Sequence, residues 1–121
     1  MMKQLKRSEC IILPLVLKGR WYDMIASGEK KEEYRNAKLF WCTRITNVIY
    51  KAHNEDKPIV VAFSRGYKKQ DMFYVANRIL YADGFNHLEW GEPETPHYVI
   101  QLGERVELVL PSKGSEVKNE V

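Results

Sequence analysis

The run Ile59-Val60-Val61-Ala62-Phe63-Ser64-Arg65 is a strongly apolar segment that is followed by Gly66. It is short and rich in β-branched residues, which is typical of a buried strand that ends in a turn. Residues 71–81 alternate between apolar and polar side chains, which predicts a second strand and an antiparallel hairpin. On this second strand we expect one apolar face, made of Phe73, Val75, Ile79 and Tyr81.

The segments before this hairpin carry strand and helix signals in alternation. Residues 10–17 predict a strand, in which Pro14 indicates an edge or bent position. Residues 19–27 predict a helix that Gly28 closes, because glycine takes a positive φ at low cost. Residues 32–35 predict a short extended segment, and residues 38–53 predict a second helix. Its apolar stripe consists of Trp41, Ile45, Val48, Ile49 and Ala52.

Two further strands are predicted after the hairpin, at residues 97–102 and 105–110, around Gly103-Glu104. Consecutive strands, rather than alternating strand and helix units, argue against a doubly wound parallel sheet. We therefore predict an α+β fold: a small mixed β-barrel with two flanking helices, in which barrel closure removes exposed strand edges.

The length of 121 residues suits a single domain. We expect this domain to span residues 10–110. A flexible N-terminal segment, residues 1–9, would precede it, and a disordered polar tail, residues 111–121, would follow it.

Composition limits the classes of protein to consider. The net charge of +3 is mildly basic, so it permits a polyanionic partner without requiring one. Cys10 and Cys42 lack metal-ligand spacing and are typical of reduced thiols in a cytoplasmic protein. No apolar run reaches the roughly 18 residues of a membrane span. We expect a cytoplasmic protein with no metal and no cofactor, since haem, flavin, nicotinamide and phosphate-loop signatures are absent. The sequence does not fix the oligomeric state, for which a monomer is the default.

The connection after the first predicted helix, residues 27–35, is dense in opposite charges. If Glu33-Tyr34-Arg35 is extended, Glu33 and Arg35 share one side and Tyr34 faces the other. Lys30, Glu33 and Arg35 could then converge to bind a polar or phosphorylated ligand, or to perform acid/base chemistry. The alternative is a solvated turn, because exposed ion pairs contribute only about 0–1 kcal/mol.

Four other side chains are candidates for a ligand site. Arg65 and Tyr67 follow the apolar strand and could supply a guanidinium and a stacking ring, although an ordinary hairpin end has the same pattern. Trp90 lies in a loop that could fold over a pocket or plug the end of a barrel. Arg44 lies three residues after Trp41 and could flank the same helix face.

The segment from Trp21 to Arg35 resembles the signature of the ASCH domain family: an aromatic residue, an isoleucine, a small residue and then G-x-K-x-x-E-x-R. Weaker matches follow in the family's order: Trp41 with Arg44-Ile45, residues 63–67, Trp90-Gly91 and residues 98–105. The resemblance spans residues 11 to about 108 and implies a PUA-like fold.

The resemblance also implies a function. PUA domains bind RNA, and the ASCH family is suspected to bind RNA or modified nucleotides. The family's motif charges line a cleft, and by position these are Lys30, Glu33 and Arg35, with Arg65 and Tyr67 as neighbours. One branch consists of small amidohydrolases that remove acetyl from acetylated cytidine with a lysine, a threonine and a glutamate. Lys30 matches the lysine, whereas Glu33 stands at the threonine position and no residue is assigned to the glutamate.

Three hypotheses therefore stand. The first is a module that binds RNA or a nucleotide, in which Lys30 and Arg35 contact phosphate or a base carbonyl and Glu33 orients them or accepts from a base amino group. The second is an amidohydrolase acting on an acetylated nucleoside, with Lys30 as base or Glu33 activating water. The third is an interaction domain whose charged cleft is inert. The predicted ligand contacts are Lys30, Glu33, Arg35, Arg44, Arg65, Tyr67 and Trp90.

Overall fold

The computed structural model describes residues 2–109, which form two α-helices and six β-strands. The prediction of an α+β fold with two helices is confirmed. The predicted tail at residues 111–121 lies outside the described residues. In chain order the elements are β1 (Lys3–Lys6), β2 (Ile11–Leu17), α1 (Gly19–Ala26), β3 (Glu32–Asn36), α2 (Leu39–Glu55), β4 (Ile59–Arg65), β5 (Met72–Ala82) and β6 (His97–Val109), with 3-10 turns at Arg7–Glu9 and Leu88–Trp90.

The six strands form one mixed sheet in the order β1-β6-β5-β4-β2, and β3 pairs with the first half of β6. β4 and β5 are antiparallel, so the predicted hairpin is confirmed. The pairs β2–β4 and β1–β6 are parallel. The sheet formed by residues 2–109 is not closed into a barrel, because the main chains of β2 and β3 are not paired. The predicted closed barrel is therefore wrong.

The gap between β2 and β3 follows from the direction of main-chain groups in β2. The Leu17 carbonyl accepts a hydrogen bond from the N–H of Gly66, which follows β4, so the odd-numbered residues of β2 direct their main-chain groups towards β4. Pro14 and Val16 direct theirs into the gap, where a proline has no N–H to offer another strand. The edge position that Pro14 indicated is confirmed.

The sheet packs apolar side chains on both of its faces. β4 lies between β2 and β5, so Val61 and Phe63 enter a larger cluster on one face and Val60 a smaller cluster on the other. Leu5 of β1 packs against the smaller cluster. Burial of this side chain explains why residues 3–6, which we expected to be flexible, instead form a strand beside β6.

The two helices cover the larger cluster. Ile25 of α1 is part of it, and Trp41 and Val48 of α2 pack against it. Ile49 was expected in the same apolar stripe, but 41 % of it is exposed. Neither helix of the described part of the chain is long and apolar enough to cross a membrane.

A β-bulge changes which side chains of β5 face each cluster. The pairing of β5 with β6 shifts register between Tyr74 and Arg78. Phe73 and Val75 therefore pack against the smaller cluster, whereas Ile79 packs against the larger one. The prediction of a single apolar face along this strand is wrong, because an extra residue exchanges the two faces.

β6 is one continuous strand of 13 residues, not the two strands predicted around Gly103. The strand continues through Gly103, which does not take a positive φ. The length of β6 lets its first half pair with β3 and its second half with β1. This arrangement places β3 opposite the free edge of β2.

Candidate functional site

The connection between α1 and β3 places Lys30 inside the domain. Gly28 takes a φ of +87°, and the Lys30 N–H donates to the Met24 carbonyl at 3.0 Å. The turn directs the Lys30 side chain inwards, where only 1 % of the residue is exposed. Its Nζ lies 5.5 Å from the ring centre of Trp21 and 4.4 Å from that of Tyr34. Lys30 is therefore not a solvated turn residue.

Glu33 joins the two cations of the predicted trio. Its Oε1 lies 3.1 Å from Lys30 Nζ, and its Oε2 contacts Nη1 of Arg35. Lys30 Nζ also donates to the main-chain carbonyl of Glu32. Glu33 and Arg35 share one side of β3, as strand alternation predicted. The trio is a buried cluster with two cations and one anion.

Arg35 connects β3 to the free edge of β2. Its Nη2 donates to the Val16 carbonyl at 3.0 Å, and its Nη1 donates to the Tyr34 carbonyl at 2.6 Å as well as to Glu33. The guanidinium carbon lies 5.1 Å from the ring centre of Trp41 in α2. Side-chain hydrogen bonds thus bridge the gap that main-chain pairing leaves.

Burial changes the acidity of this cluster. Burial favours the neutral amine and lowers the pKa of Lys30, although the neighbouring Glu33 carboxylate acts in the opposite direction. Burial also raises the pKa of Tyr34, whose hydroxyl donates to Glu32 Oε1 at 2.9 Å. Lys30 therefore releases its proton more readily than an ordinary lysine, while Tyr34 keeps its own.

The gap between β2 and β3 opens into a cleft of about 630 Å³. Its walls are formed by β2, the start of α1, β3, the first turns of α2 and the loops that follow β4 and β5. The volume lies within the roughly 300–1,000 Å³ that small-molecule sites occupy. Six aromatic side chains line the cleft, Trp21, Tyr34, Phe40, Trp41, Tyr67 and Trp90, together with four charged ones, Lys18, Glu33, Arg35 and Arg44.

The cleft carries an excess of positive charge. Among residues 2–109, Glu33 is the single acid that lines the cleft, and it is already paired with Lys30 and Arg35. Neither Lys18 nor Arg44 takes part in an ion pair with any residue from 2 to 109. Arginine side chains recognise carboxylate and phosphate groups, and aromatic rings stack on planar groups such as bases.

A buried acid holds the loop that carries Trp90. Glu92 Oε1 accepts hydrogen bonds from the main-chain N–H groups of Asn86 and His87, at 2.9 and 3.0 Å. Its Oε2 lies 2.8 Å from Nε2 of His97, which is fully buried. The ring of His87 stacks on Trp90 with centroids 4.1 Å apart. Neither Glu92 nor His97 was among the predicted site residues. The signal that could have identified Glu92 is a carboxylate two residues after the loop tryptophan Trp90.

The structure brings together most of the predicted contacts, but not all of them. Lys30 lies behind Glu33 and does not line the cleft. Arg65 lies outside the cleft, where it pairs with Asp23 at 3.2 Å. Tyr67 reaches the rim with 99 % of the residue exposed. Five predicted contacts line the cleft: Glu33, Arg35, Arg44, Tyr67 and Trp90.

Four of the rings that line the cleft among residues 2–109 were not predicted as contacts: Trp21, Tyr34, Phe40 and Trp41. Tyr34 was expected to face away from Glu33 and Arg35. Trp21 and Trp41 fitted apolar helix faces, and both do pack against the larger cluster while also lining the cleft. Phe40 is 60 % exposed and was assigned no role. Its position beside Trp41 but outside the apolar stripe of α2 is the signal that could have identified it.

Comparisons with family models, curated proteins and solved structures find no match to this chain. The chemistry of the cleft is therefore the basis for assigning a function.

Proposed function

We propose that the protein is an RNA- or nucleotide-binding domain of the ASCH family, in the PUA-like superfamily, and that its ligand occupies the cleft between β2 and β3. One observation carries this proposal: arginines and aromatic rings line a single cleft of nucleotide size. Arginines bind phosphate and base carbonyl oxygens, and rings stack on bases.

The positions of the ASCH-like residues support the family part of the proposal. Lys30, Glu33 and Arg35 come from one motif and form one ionic cluster. Trp21 and Gly91 come from two distant motifs, and a Cβ atom at Gly91 would lie only 2.7 Å from the Trp21 ring. Residues that resemble the family signature in separate parts of the chain thus meet around one cleft.

A titration across a salt series tests the binding function. Short single-stranded RNAs and nucleotides are titrated into the protein, and we expect affinity to fall as salt rises. For single strands, the logarithm of the affinity should fall by about 0.7 per phosphate neutralised for each tenfold rise in salt. Absence of binding at low salt would reject the proposal.

Two exposed rings on α2 provide a matched pair for locating the ligand. Phe40 is 60 % exposed and lines the cleft, whereas Tyr50 is 67 % exposed and does not. Stacking contributes about 1–3 kcal/mol per base, so Phe40→Ala should weaken binding about fivefold or more. Tyr50→Ala should leave affinity unchanged. Equal effects of the two substitutions would place the ligand elsewhere.

A hydrolase acting on an acetylated nucleoside is the second candidate. Burial is the main cause of the lowered pKa of Lys30, and a lowered pKa favours Lys30 as a base. The contact between the Lys30 amine and Glu33 also favours this candidate. Because Lys30 does not line the cleft, the Glu33 carboxylate, which does, would take the proton of an attacking water, with the Lys30 amine behind it able to accept that proton in turn. The water oxygen would bond to the acetyl carbon, the bond from that carbon to the amino nitrogen would break, and the proton would pass to the leaving amino group. An activated water would thus take the place of the hydroxyl of the family's threonine.

Turnover of acetylated cytidine by the wild type, Lys30→Ala and Glu33→Gln decides between binding and hydrolysis. The hydrolase candidate predicts product from the wild type and loss of product in both variants, with folding checked by circular dichroism. Equal turnover at background level in all three proteins would reject it. If the variants lose stability without changing any ligand response, the charges are structural.

A further inference from the structure

The hydrogen bonds within the cleft show which chemical groups remain for a ligand. Both carboxylate oxygens of Glu33 are engaged, one by Lys30 Nζ at 3.1 Å and the other by Arg35 Nη1. The Lys30 side chain is fully buried, and 14 % of the Arg35 side chain is exposed. Glu33 thus neutralises two cations, and with only 6 % of its side chain exposed it offers little surface on which a base amino group could donate to it.

Arg35 keeps part of its donor capacity. Its Nη1 is engaged by Glu33 and the Tyr34 carbonyl, and its Nη2 gives one N–H to the Val16 carbonyl. A guanidinium has five N–H donors, so the Nε donor and the second donor of Nη2 remain. Asn36 offers a donor in the same way, because its Oδ1 already accepts from the Lys38 N–H at 3.1 Å.

Of the two guanidinium groups that line the cleft, that of Arg44 is the one with no acidic partner among residues 2–109. Its carbon lies 5.1 Å from the ring centre of Phe40, and that ring contacts Trp41, on which Arg35 packs. The ion pairs among residues 2–109 do not include Arg44. Two contacting rings therefore carry one guanidinium each, and both guanidinium groups face the same cleft.

From this inventory we infer that the cleft binds a phosphate group of a single-stranded nucleotide through Arg44 and Arg35, and that Glu33 positions Arg35 without contacting the ligand. The inference rests on the proposed nucleotide-binding function and specifies its ligand group. Cations and N–H donors exceed acceptors on the cleft wall, which suits phosphate oxygens and carbonyl-bearing base edges. The phosphate can belong to a free mononucleotide or to a strand.

Calorimetric titrations at low salt with uridine, uridine 5′-monophosphate and a short oligouridylate test the inference. We expect the monophosphate to bind at least tenfold more tightly than uridine. Tighter binding of the oligouridylate than of the monophosphate would identify an internal phosphate as the preferred group. Tighter binding of the monophosphate would identify a terminal phosphate. Equal affinities for uridine and its monophosphate would overturn the inference while leaving the proposed function intact. Absence of binding by all three probes would overturn both.

Arg44→Gln is the decisive variant, with Lys51→Gln as its control. Both residues are exposed on α2, but only Arg44 lines the cleft. Arg44→Gln should reduce the affinity ratio of monophosphate to uridine to near one, and Lys51→Gln should preserve the ratio. An unchanged ratio in Arg44→Gln would place the phosphate elsewhere and overturn the inference.

The role of Glu33 has a separate readout. If Glu33 accepted from a base amino group, cytidine 5′-monophosphate would bind more tightly than the uridine compound. We expect no such preference in the wild type. In Glu33→Gln the monophosphate-to-uridine ratio should fall because Arg35 loses its anchor, whereas simple loss of stability would weaken both ligands equally. A preference for cytidine 5′-monophosphate that Glu33→Gln abolishes would contradict the positioning role.

Discussion

Lys30 is a cation held in the interior, with two aromatic rings beside its amine and one carboxylate within 3.1 Å. Burying an amine is unfavourable unless it is paired and hydrogen-bonded, and Glu33 and the Glu32 carbonyl meet this need. Glu33 is also the partner of Arg35. The cluster therefore depends most on Glu33, whose loss would leave both cations without their anion.

Substitutions in the cluster should reflect this dependence. Glu33→Gln leaves a buried ammonium without a counter-charge, a change that typically costs about 3–5 kcal/mol. Lys30→Met removes the buried charge and leaves Glu33 paired with Arg35, so we expect a smaller loss. Chemical denaturation of both variants measures the difference. A larger loss in Lys30→Met would show that Lys30, rather than Glu33, holds the cluster together.

Burial is the main cause of the lowered pKa of Lys30, and this lowered pKa predicts that the stability of the protein depends on pH. Between this lowered pKa and the ordinary value of 10.5, the unfolded chain binds the Lys30 proton more often than the folded protein does. The free energy of unfolding therefore rises with pH in this window. The stability of the wild type relative to Lys30→Met should increase as pH approaches 10.5, with the exposed Lys51→Met as control. A decrease would contradict the shift.

At the scale of single residues, strand alternation was enough to predict that the side chains of Glu33 and Arg35 meet. It did not predict that Lys30 lies behind them or that Arg65 lies outside the cleft. Those positions depend on tertiary packing. The Trp21 and Tyr34 rings surround the Lys30 amine, and Asp23 of α1 captures Arg65. Neither contact has a signal in local sequence.

The loop between β5 and β6 is ordered by its own buried acid. Burial alone would raise the pKa of Glu92, but hydrogen bonds from Asn86, His97 and His87 prevail and lower it. The carboxylate form is thus the one that fastens the loop. Since Trp90 lies within this loop, the same acid positions one wall of the cleft.

Glu92 should make the protein sensitive to acid. Because its pKa in the folded protein is below the ordinary 4.5, its contribution is present above pH 4.5 and is lost as pH falls through the lowered value. Glu92→Gln removes this titration, so the stability advantage of the wild type over this variant should shrink at low pH. The exposed Glu94→Gln is the matched control. A constant advantage across the acid range would contradict the prediction.

Gly91 closes the same loop against α1. It takes a φ of +82°, and a Cβ atom there would lie 2.7 Å from the Trp21 ring. Gly28 takes a φ of +87°, but a Cβ atom there would meet nothing within 4 Å. Gly28→Ala should therefore cost only the roughly 1–2 kcal/mol of left-handed backbone, and Gly91→Ala should cost more and weaken nucleotide binding. Equal losses in denaturation would show that the Trp21 contact is unimportant.

Element types and the β4–β5 hairpin followed from local patterns, but the other strand partners did not. The residue types alone predicted the apolar strand β4 and the end of a helix at Gly28, and the structure contains both. The bulge in β5 and the unbroken β6 were not predicted. Both depend on pairing with distant strands, which Gly103 alone cannot reveal.

At the scale of the whole molecule, the cleft exists because the sheet does not close. β2 and β3 face each other without main-chain pairing, and Arg35 is the residue that bridges them. A closed barrel would have removed the space that the aromatic and cationic side chains now line. The sequence indicated an edge at Pro14 but could not show that the gap beside it would remain open.

The open gap also explains why the net charge of the chain did not predict a binding site. The net charge of +3 is small, yet the cleft concentrates Lys18, Arg35 and Arg44 around a single neutralised acid. Binding of phosphate at this place is the central claim. It requires that ligand contact be confined to the cleft and absent from exposed arginines elsewhere, such as Arg78 of β5.

Nuclear magnetic resonance of the arginine Nε–H groups during titration with uridine 5′-monophosphate tests this claim most directly. The Arg35 and Arg44 signals should shift together along one saturable curve, while the Arg78 signal stays in place. If saturating monophosphate and oligouridylate leave Arg35 and Arg44 unmoved, or shift Arg78 equally, the cleft is not the phosphate site.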